Sequence, residues 1–271
     1  MTRRIADKIV VITGASSGIG RATALALARE RAKLVLVARR ENLLVQLEEE
    51  IRAAGGTACS MSLDLRQRAN VETMIRSTHE RFGRIDVLIN NAGFGFWGTV
   101  ANTPAAVVRE IFDLNFEAPL FASQLVIPIM RAQGSGHIIN ISSIVGKRGL
   151  PMSGIYCATK FALQGISESL RLEVKDDGID VSVISPAGTE TEFGENVRYG
   201  QVKRKFKPTG HIQSAGEVAE AIVRCIQKPK LEVYPNRSSR FLVWANAIAP
   251  GLVDKIVIRY LRDRLNAAKE K

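Results

Sequence analysis

The feature that most constrains this chain is an alternation. Short β-branched and apolar runs at residues 9–13, 34–38, 57–63, 87–90, 137–142, 180–185 and 231–234 are separated by longer segments of helical periodicity at 19–31, 41–54, 67–81, 105–132, 153–175 and 215–227. Strand and helix in turn is the pattern of βαβ units feeding a parallel sheet. Most of the runs are continuously apolar, as strands covered by helices on both faces must be. The expectation is an α/β fold, a doubly wound parallel sheet of seven strands with helices on both faces. Nothing repeats at a fixed period and no low-complexity linker interrupts the series. The 271 residues therefore read as one domain over 1–240, followed by an apolar and basic helical extension over 241–271. The longest stretch without element signals is 188–210, and a loop of that length is usually functional or disordered.

Composition narrows the function classes. The chain has 38 basic and 27 acidic side chains, a net charge of +11 that favours anionic ligands or surfaces. No RNA or DNA motif accompanies that charge and the aromatics are not interleaved with the basic loop, so a nucleic-acid binder is not expected. Cys59, Cys157 and Cys225 are odd in number and widely spaced, and His79, His137 and His211 are equally scattered. They make neither a disulfide framework nor a metal-ligand cluster, and no metal is expected. The amino terminus carries Arg3, Arg4 and Lys8 without an apolar run, which excludes an ordinary signal peptide, and with the scattered cysteines a reducing, cytoplasmic setting is expected.

Chemistry enters directly after the first strand. There Thr13-Gly14-Ala15-Ser16-Ser17-Gly18-Ile19-Gly20 opens into a helix. Glycines let a backbone approach a phosphate, and a helix amino terminus offers free N–H groups, so strand, glycine turn and helix make an anion site. Such a turn can also be merely structural. The second strand ends in Val37-Ala38-Arg39-Arg40. In dinucleotide-binding folds an acid at that place accepts from the adenosine 2′-hydroxyl, whereas arginine accommodates a 2′-phosphate. Arg39, helped by Arg40 and the Ser16 hydroxyl, therefore favours NADP(H) over NAD, unless both arginines are solvated surface charges. Asp64 follows the third strand, as an acceptor for an adenine amine or as a turn residue. Asn90-Asn91-Ala92-Gly93 ends the fourth, as a close approach to a ribose or a plain turn. Tyr156 and Lys160 share one face of a helix, and Ser143 ends the fifth strand.

Taken together these residues resemble the short-chain dehydrogenase/reductase family in its single-domain form of about 250 residues. The resemblance rests on Thr13-Gly14-x-x-x-Gly18-Ile19-Gly20, Asp64, Asn90-Asn91-Ala92-Gly93, Asn115, Ser143 and Tyr156-x-x-x-Lys160, and it covers approximately residues 5–235. It implies a Rossmann-like fold, ketone or aldehyde reduction or the reverse alcohol oxidation, and a homodimer or homotetramer. Lys160 then also binds the nicotinamide ribose, and Asn115 holds a water that relays protons from Lys160.

The chemistry can be argued separately. Hydride transfer to a ketone leaves an alkoxide that must gain a proton, so a positioned acid is needed. Tyr156 can be that acid, and the Lys160 ammonium one turn away is expected to draw its pKa down. Ser143 donates to the substrate oxygen. That complete set argues against a non-catalytic NADPH-binding sensor or scaffold. Two departures from the family pattern stand out. The run Pro186-Ala187-Gly188-Thr189-Glu190-Thr191 has alanine where glycine is usual; Thr191 holds the place of the threonine that bonds the nicotinamide carboxamide, while Thr189 and a shifted Gly188 leave the backbone path around it open. Ser16 and Ser17 stand where many NADP-preferring relatives carry a basic residue.

The substrate side is apolar. Phe94, Phe96, Trp97, Leu150 and Met152 either wall a pocket for a hydrophobic carbonyl compound or belong to the core. Arg198, Lys203, Arg204, Lys205 and Lys207 form a basic loop, a guide for an anionic substrate or a solvated segment. Residues 241–253 are uncharged and apolar, and Lys255, Arg259, Arg262 and Arg264 follow. That is too short to span a bilayer, which takes about 20 residues. Residues 241–264 could instead touch a membrane peripherally, cover the substrate mouth or pack between subunits.

Overall fold

The apolar runs of the sequence become the strands of one parallel sheet. The computed structural model describes residues 2–195, 197–200 and 212–269. Its seven strands are β1 (Ile9–Thr13), β2 (Lys33–Ala38), β3 (Thr57–Ser62), β4 (Val87–Asn90), β5 (Gly136–Ile141), β6 (Ile179–Ile184) and β7 (Glu232–Val233). They lie in the order β3-β2-β1-β4-β5-β6-β7, with every neighbouring pair parallel. The helices are α1 (Gly18–Arg29), α2 (Glu41–Ala53), α3 (Arg68–Phe82), α4 (Ala105–Phe112), α5 (Ala118–Gln133), α6 (Gly154–Glu173), α7 (Ala215–Gln227), α8 (Ser239–Ile248) and α9 (Pro250–Lys269).

Successive strand side chains point to opposite faces, and the core divides accordingly. Val10 and Ile12 of β1, with Leu34 and Leu36 of β2, pack under α1, α2 and α7, while Val11, Val35 and Val37 pack under α3, α5 and the end of α6. The doubly wound sheet is thus the one expected; most of its strands are continuously apolar, while β3 and the short β7 are partly polar and partly exposed.

Element ends carry the usual chemistry. α3 and α5 stop at Gly83 and Gly134, both left-handed, and α7 starts in a capping box between Ser214 and Glu217. The helix expected over 105–132 is different. It is α4 and α5 joined by a π-helical segment, Asp113–Glu117, which the 3.6-residue periodicity of the sequence does not reveal. Phe96–Trp97 form a small parallel ladder with Arg198–Tyr199, and Thr189–Glu190 form another with Gln213–Ser214.

The strand order reverses between β1 and β4. Consecutive βαβ units run outward from that seam in opposite directions, leaving a crevice beyond the carboxyl ends of both strands where ligands of such sheets bind. Gly20 closes the turn on the β1 side. A Cβ there would lie 2.2 Å from the Gly14 carbonyl oxygen and 2.6 Å from Asn91 Nδ2. Gly20→Ala is therefore expected to open the turn, lowering the thermal midpoint by several degrees and weakening dinucleotide binding by roughly tenfold or more, measured by calorimetry and fluorescence titration.

Candidate active site

The crevice is pinned at its floor. The Thr13 hydroxyl accepts from the backbone N–H groups of Asn91 (2.9 Å) and Ala92 (3.0 Å), and Asn91 Nδ2 donates to the Thr13 and Gly14 carbonyls at 2.9 and 3.2 Å. Asn91 thus ties β4 to β1. Gly14 takes the left-handed conformation (φ 66°) against Ala92. Ser17 is the N-cap of α1 but its hydroxyl makes no capping bond, and the first turn holds no acid. The opening N–H groups around Gly18, Ile19 and Gly20 accordingly face the crevice as an anion cradle, which fits a dinucleotide pyrophosphate.

Of the two strand-end arginines, Arg40 crosses the glycine turn. Its guanidinium donates to Ser16 Oγ (3.2 and 3.3 Å) and Ser17 Oγ (2.6 Å), and it pairs with Glu192 at 3.0 Å. Arg39 is exposed beside it. The sequence put the weight on Arg39; the guanidinium on the turn belongs to Arg40. Asp64 is held by Arg66, whose Nε lies 3.0 Å from both carboxylate oxygens and whose second nitrogen lies at 2.5 Å. That guanidinium keeps the Asp64 pKa below the usual carboxylate range. Arg66 also reaches Glu110 at 3.1 Å.

The predicted catalytic residues come together at the ends of β5 and α6. Ser143 caps a short 3₁₀ turn, Ile144–Gly146, where its hydroxyl accepts from Val145 N at 3.3 Å, and that hydroxyl acts on the Tyr156 phenol by favouring its ionised form. Lys160 is 5% exposed, and its Nζ donates to the Ile141 carbonyl at 2.8 Å. Among the described residues no carboxylate pairs with it. Burial alone pulls its pKa from 10.5 down to about 8. Asn115 is fully buried in the π-helical segment. Its Oδ1 accepts from Phe94 N (3.0 Å), and its Nδ2 donates to Phe94 O (2.9 Å) and Thr159 Oγ1 (3.3 Å). The side chain therefore fixes the turn after β4 against α6.

Lys160 was expected to draw the Tyr156 phenol toward neutrality, but burial pushes the phenol up, and the group opposing that rise is the Ser143 hydroxyl. The Lys160 nitrogen is turned toward β5 and lies 5.8 Å from the centre of the phenol ring. As a result the phenol keeps its proton at neutral pH.

The segment after β6 separates the two threonines. Thr189 donates to the Ala187 carbonyl and accepts from Gln213, both at 3.0 Å, in its small ladder. Thr191 instead lies against Gly18, where an added Cβ would come within 3.1 Å of Thr191 Cβ. Thr191 is thus the threonine beside the glycine turn, and the Pro186 carbonyl accepts from Ser143 Oγ at 3.4 Å. Two residues that sequence reasoning missed follow. Glu192 meets Arg40, and the Phe193 ring stands 5.8 Å from that of Tyr156. Neither contact has a local signal, because the partners are far apart in the chain.

Phe96 and Trp97 are core residues, 3% and 6% exposed. Phe94, Leu150 and Phe193 remain as partly open apolar groups, and Met152 is buried with a left-handed backbone (φ 69°) that is unusual for its type. Arg198 pairs with Glu110 at 2.6 Å and stacks on Phe94, while Lys203, Arg204, Lys205 and Lys207 lie outside the described residues.

A nucleotide cradle at a sheet's topological switch, with a serine, tyrosine and lysine gathered beside it, defines a dinucleotide-dependent oxidoreductase. The family described as short chain dehydrogenase matches residues 8–201, and this chain belongs to it. Among curated relatives, the ketoacyl reductase HetN of Nostoc sp. is 33% identical over 258 residues, covering 93% of this chain and 88% of that protein. Among solved structures, a short chain dehydrogenase/reductase from Burkholderia phymatum in complex with NAD superposes with a TM-score of 0.83 at 26% identity, over 92% of this chain and 96% of that one. A short-chain dehydrogenase from Sphingobium yanoikuyae in complex with NADPH gives 0.78 at 30% identity, over 91% and 95%.

The buried ammonium has a measurable consequence. A lysine whose folded pKa is below its unfolded one destabilises the fold while charged, and that penalty is relieved as pH rises from about 8 toward 10.5. Lys160→Met is expected to stabilise the protein at pH 7 by roughly 2–3 kcal/mol in denaturant titration, with the difference shrinking above pH 8.

Proposed function

We propose that this protein is an NADPH-dependent reductase of an apolar ketone or aldehyde. The observation that carries the cofactor preference is the Arg40 guanidinium lying across the glycine turn, with Arg39 beside it and no acid at the end of β2. A planar guanidinium donates two parallel hydrogen bonds to a phosphate oxygen pair. The 2′-phosphate would take the place on Arg40 that Glu192 holds. The cradle of Gly14, Ser16, Ser17, Gly18, Ile19 and Gly20 would hold the pyrophosphate. Ala92 and Gly93 would lie along the ribose, and Pro186 and Thr191 would border the nicotinamide.

NADPH, when bound, supplies the hydride. Ser143 donates a hydrogen bond to the substrate carbonyl oxygen and stabilises charge as it grows there. Tyr156 gives its proton to that same oxygen, completing the alcohol. A phenol kept protonated by burial is in the right state for this direction. Lys160 has one N–H engaged by Ile141 O and two left, enough for the ribose hydroxyls. Asn115 holds the turn at Phe94 through both ends of its side-chain amide, so that side chain positions the turn against α6. Phe94, Leu150 and Phe193 support an apolar substrate. Exposed Phe161 (45%) and Leu172 (69%) on α6 support a homo-oligomer.

NADPH absorbance followed across a panel of apolar ketones, acyl ketones and aldehydes tests the reading. Tyr156→Phe is expected to lower kcat by about 10³-fold with NADPH affinity unchanged, and retained turnover contradicts the proton donor. Arg40→Ala is expected to weaken NADPH binding by about tenfold or more and leave NADH binding within about twofold. Equal loss for both contradicts the phosphate role.

A further inference from the structure

The two C-terminal helices lie outside the catalytic machinery and expose more apolar surface than a soluble protein needs. On α8, Ser239, Val243 and Asn246 face inward, while Phe241 (69% exposed), Trp244 (56%) and Ile248 (84%) form an outward stripe. On α9, Val253, Val257 and Leu261 make the inner stripe, and Leu252 (61%), Ile256 (59%) and Ile258 (52%) lie outside it. A surface helix normally turns a polar stripe to water, and these two present a second apolar one. No helix among the described residues is long and apolar enough to cross a membrane.

Charge selects the occupant. Between residues 236 and 259 the cations are Arg237, Arg240, Lys255 and Arg259, and the one acid is Asp254. That acid is already paired within the chain, to Arg148. Arg240 also lies over the Trp244 ring, 5.4 Å from its centre. Beside α8 a cavity of about 940 Å³ continues the positive field, with Arg224, Lys228 and Lys230 on its wall. A second copy seated on this surface would bring cation against cation across a two-fold axis. An anionic lipid surface supplies the opposite charge to the rim and an apolar layer for the stripe, and tryptophan suits the boundary between them.

We infer that α8 and α9 dock this protein on an anionic bilayer, with the Phe241, Trp244, Ile248, Leu252 and Ile256 side chains entering the interface. The helix pair is braced against the loop between Ser143 and Tyr156. Arg148 donates to Asn246 Oδ1 at 2.5 Å and pairs with Asp254, and Asn246 Nδ2 donates to the Lys147 carbonyl at 3.3 Å. Docking would thus hold the loop carrying Leu150 at the lipid side, suiting the apolar substrate of the proposed reaction. The docking claim itself does not depend on that reaction.

The test is co-sedimentation of the full chain with vesicles of phosphatidylcholine alone or with about 30 mol% phosphatidylglycerol, in low salt and in about 0.5 M salt. Expected are binding at least about tenfold tighter to the anionic vesicles, weakening in high salt, and loss of binding in the double variant Phe241→Glu with Ile248→Glu. Both positions are exposed, and unchanged NADPH binding and thermal midpoint check that the variant is folded. Three results overturn the proposal. They are no binding to anionic vesicles at low salt, equal binding by the double variant, or a smaller oligomer formed by the variant in lipid-free buffer, which would make the surface a contact between copies.

Discussion

Holding the Lys160 ammonium at the carboxyl end of β5, with a carbonyl for a partner and no carboxylate among the described residues, works against folding, and the surrounding elements are arranged so that the fold can bear it. Ser142 donates to the Lys160 carbonyl, and Gly146 packs so close that an added Cβ would lie 2.9 Å from that same oxygen. α6 is thereby seated firmly on the end of β5. Tyr156, one turn earlier, is brought over Ser143 by the same seating. A cation kept without a counter-charge inside a protein retains unsatisfied donors, and these two N–H groups are what a ribose can use.

The other half of the site depends on the seam between β1 and β4. Thr13 and Asn91 lock the two strand ends together, so the glycine turn and the turn at Ala92–Gly93 form opposite lips of one crevice. Asn115 then carries this rigidity across to α6 through Phe94 and Thr159. Arg40 ties a third element to the assembly, because Glu192 and Phe193 are neighbours and face opposite ends of the crevice. One meets the arginine over the glycine turn and the other meets Tyr156. A ligand that changes the Arg40–Glu192 pair therefore acts on the segment that covers the phenol.

Much of this was legible in the sequence. The alternation of strands and helices gives the sheet because apolar runs and helical periodicity are local signals, and the glycine turn, Ser143, Tyr156 and Lys160 sit on elements whose ends those signals mark. What was not legible depends on distant partners or on shifts in helical register. The π-helical segment that turns Asn115 inward leaves no trace in the hydrophobic pattern. Arg66 on Asp64 was missed because two residues of local spacing do not say which way a side chain folds back. The upward shift of Tyr156 depends on how closely α6 and the Phe193 ring crowd a phenol that is still partly open, which helical spacing from Lys160 does not convey. Nor could the sequence give the backbone path between Thr189 and Thr191, since the ladder that engages Thr189 uses Gln213, 24 residues on.

The charge state of one side chain, Lys160, decides whether the site can work as described. Titration of Lys160 by NMR, with lysine labelled at its ε-carbon and Lys160→Met used to assign the signal, gives that pKa in the folded protein. A midpoint near 8 is the predicted result. A midpoint near the ordinary value of 10.5 would mean an ammonium solvated or paired with an acid, and would contradict the buried, donor-bearing site on which the proposed chemistry rests.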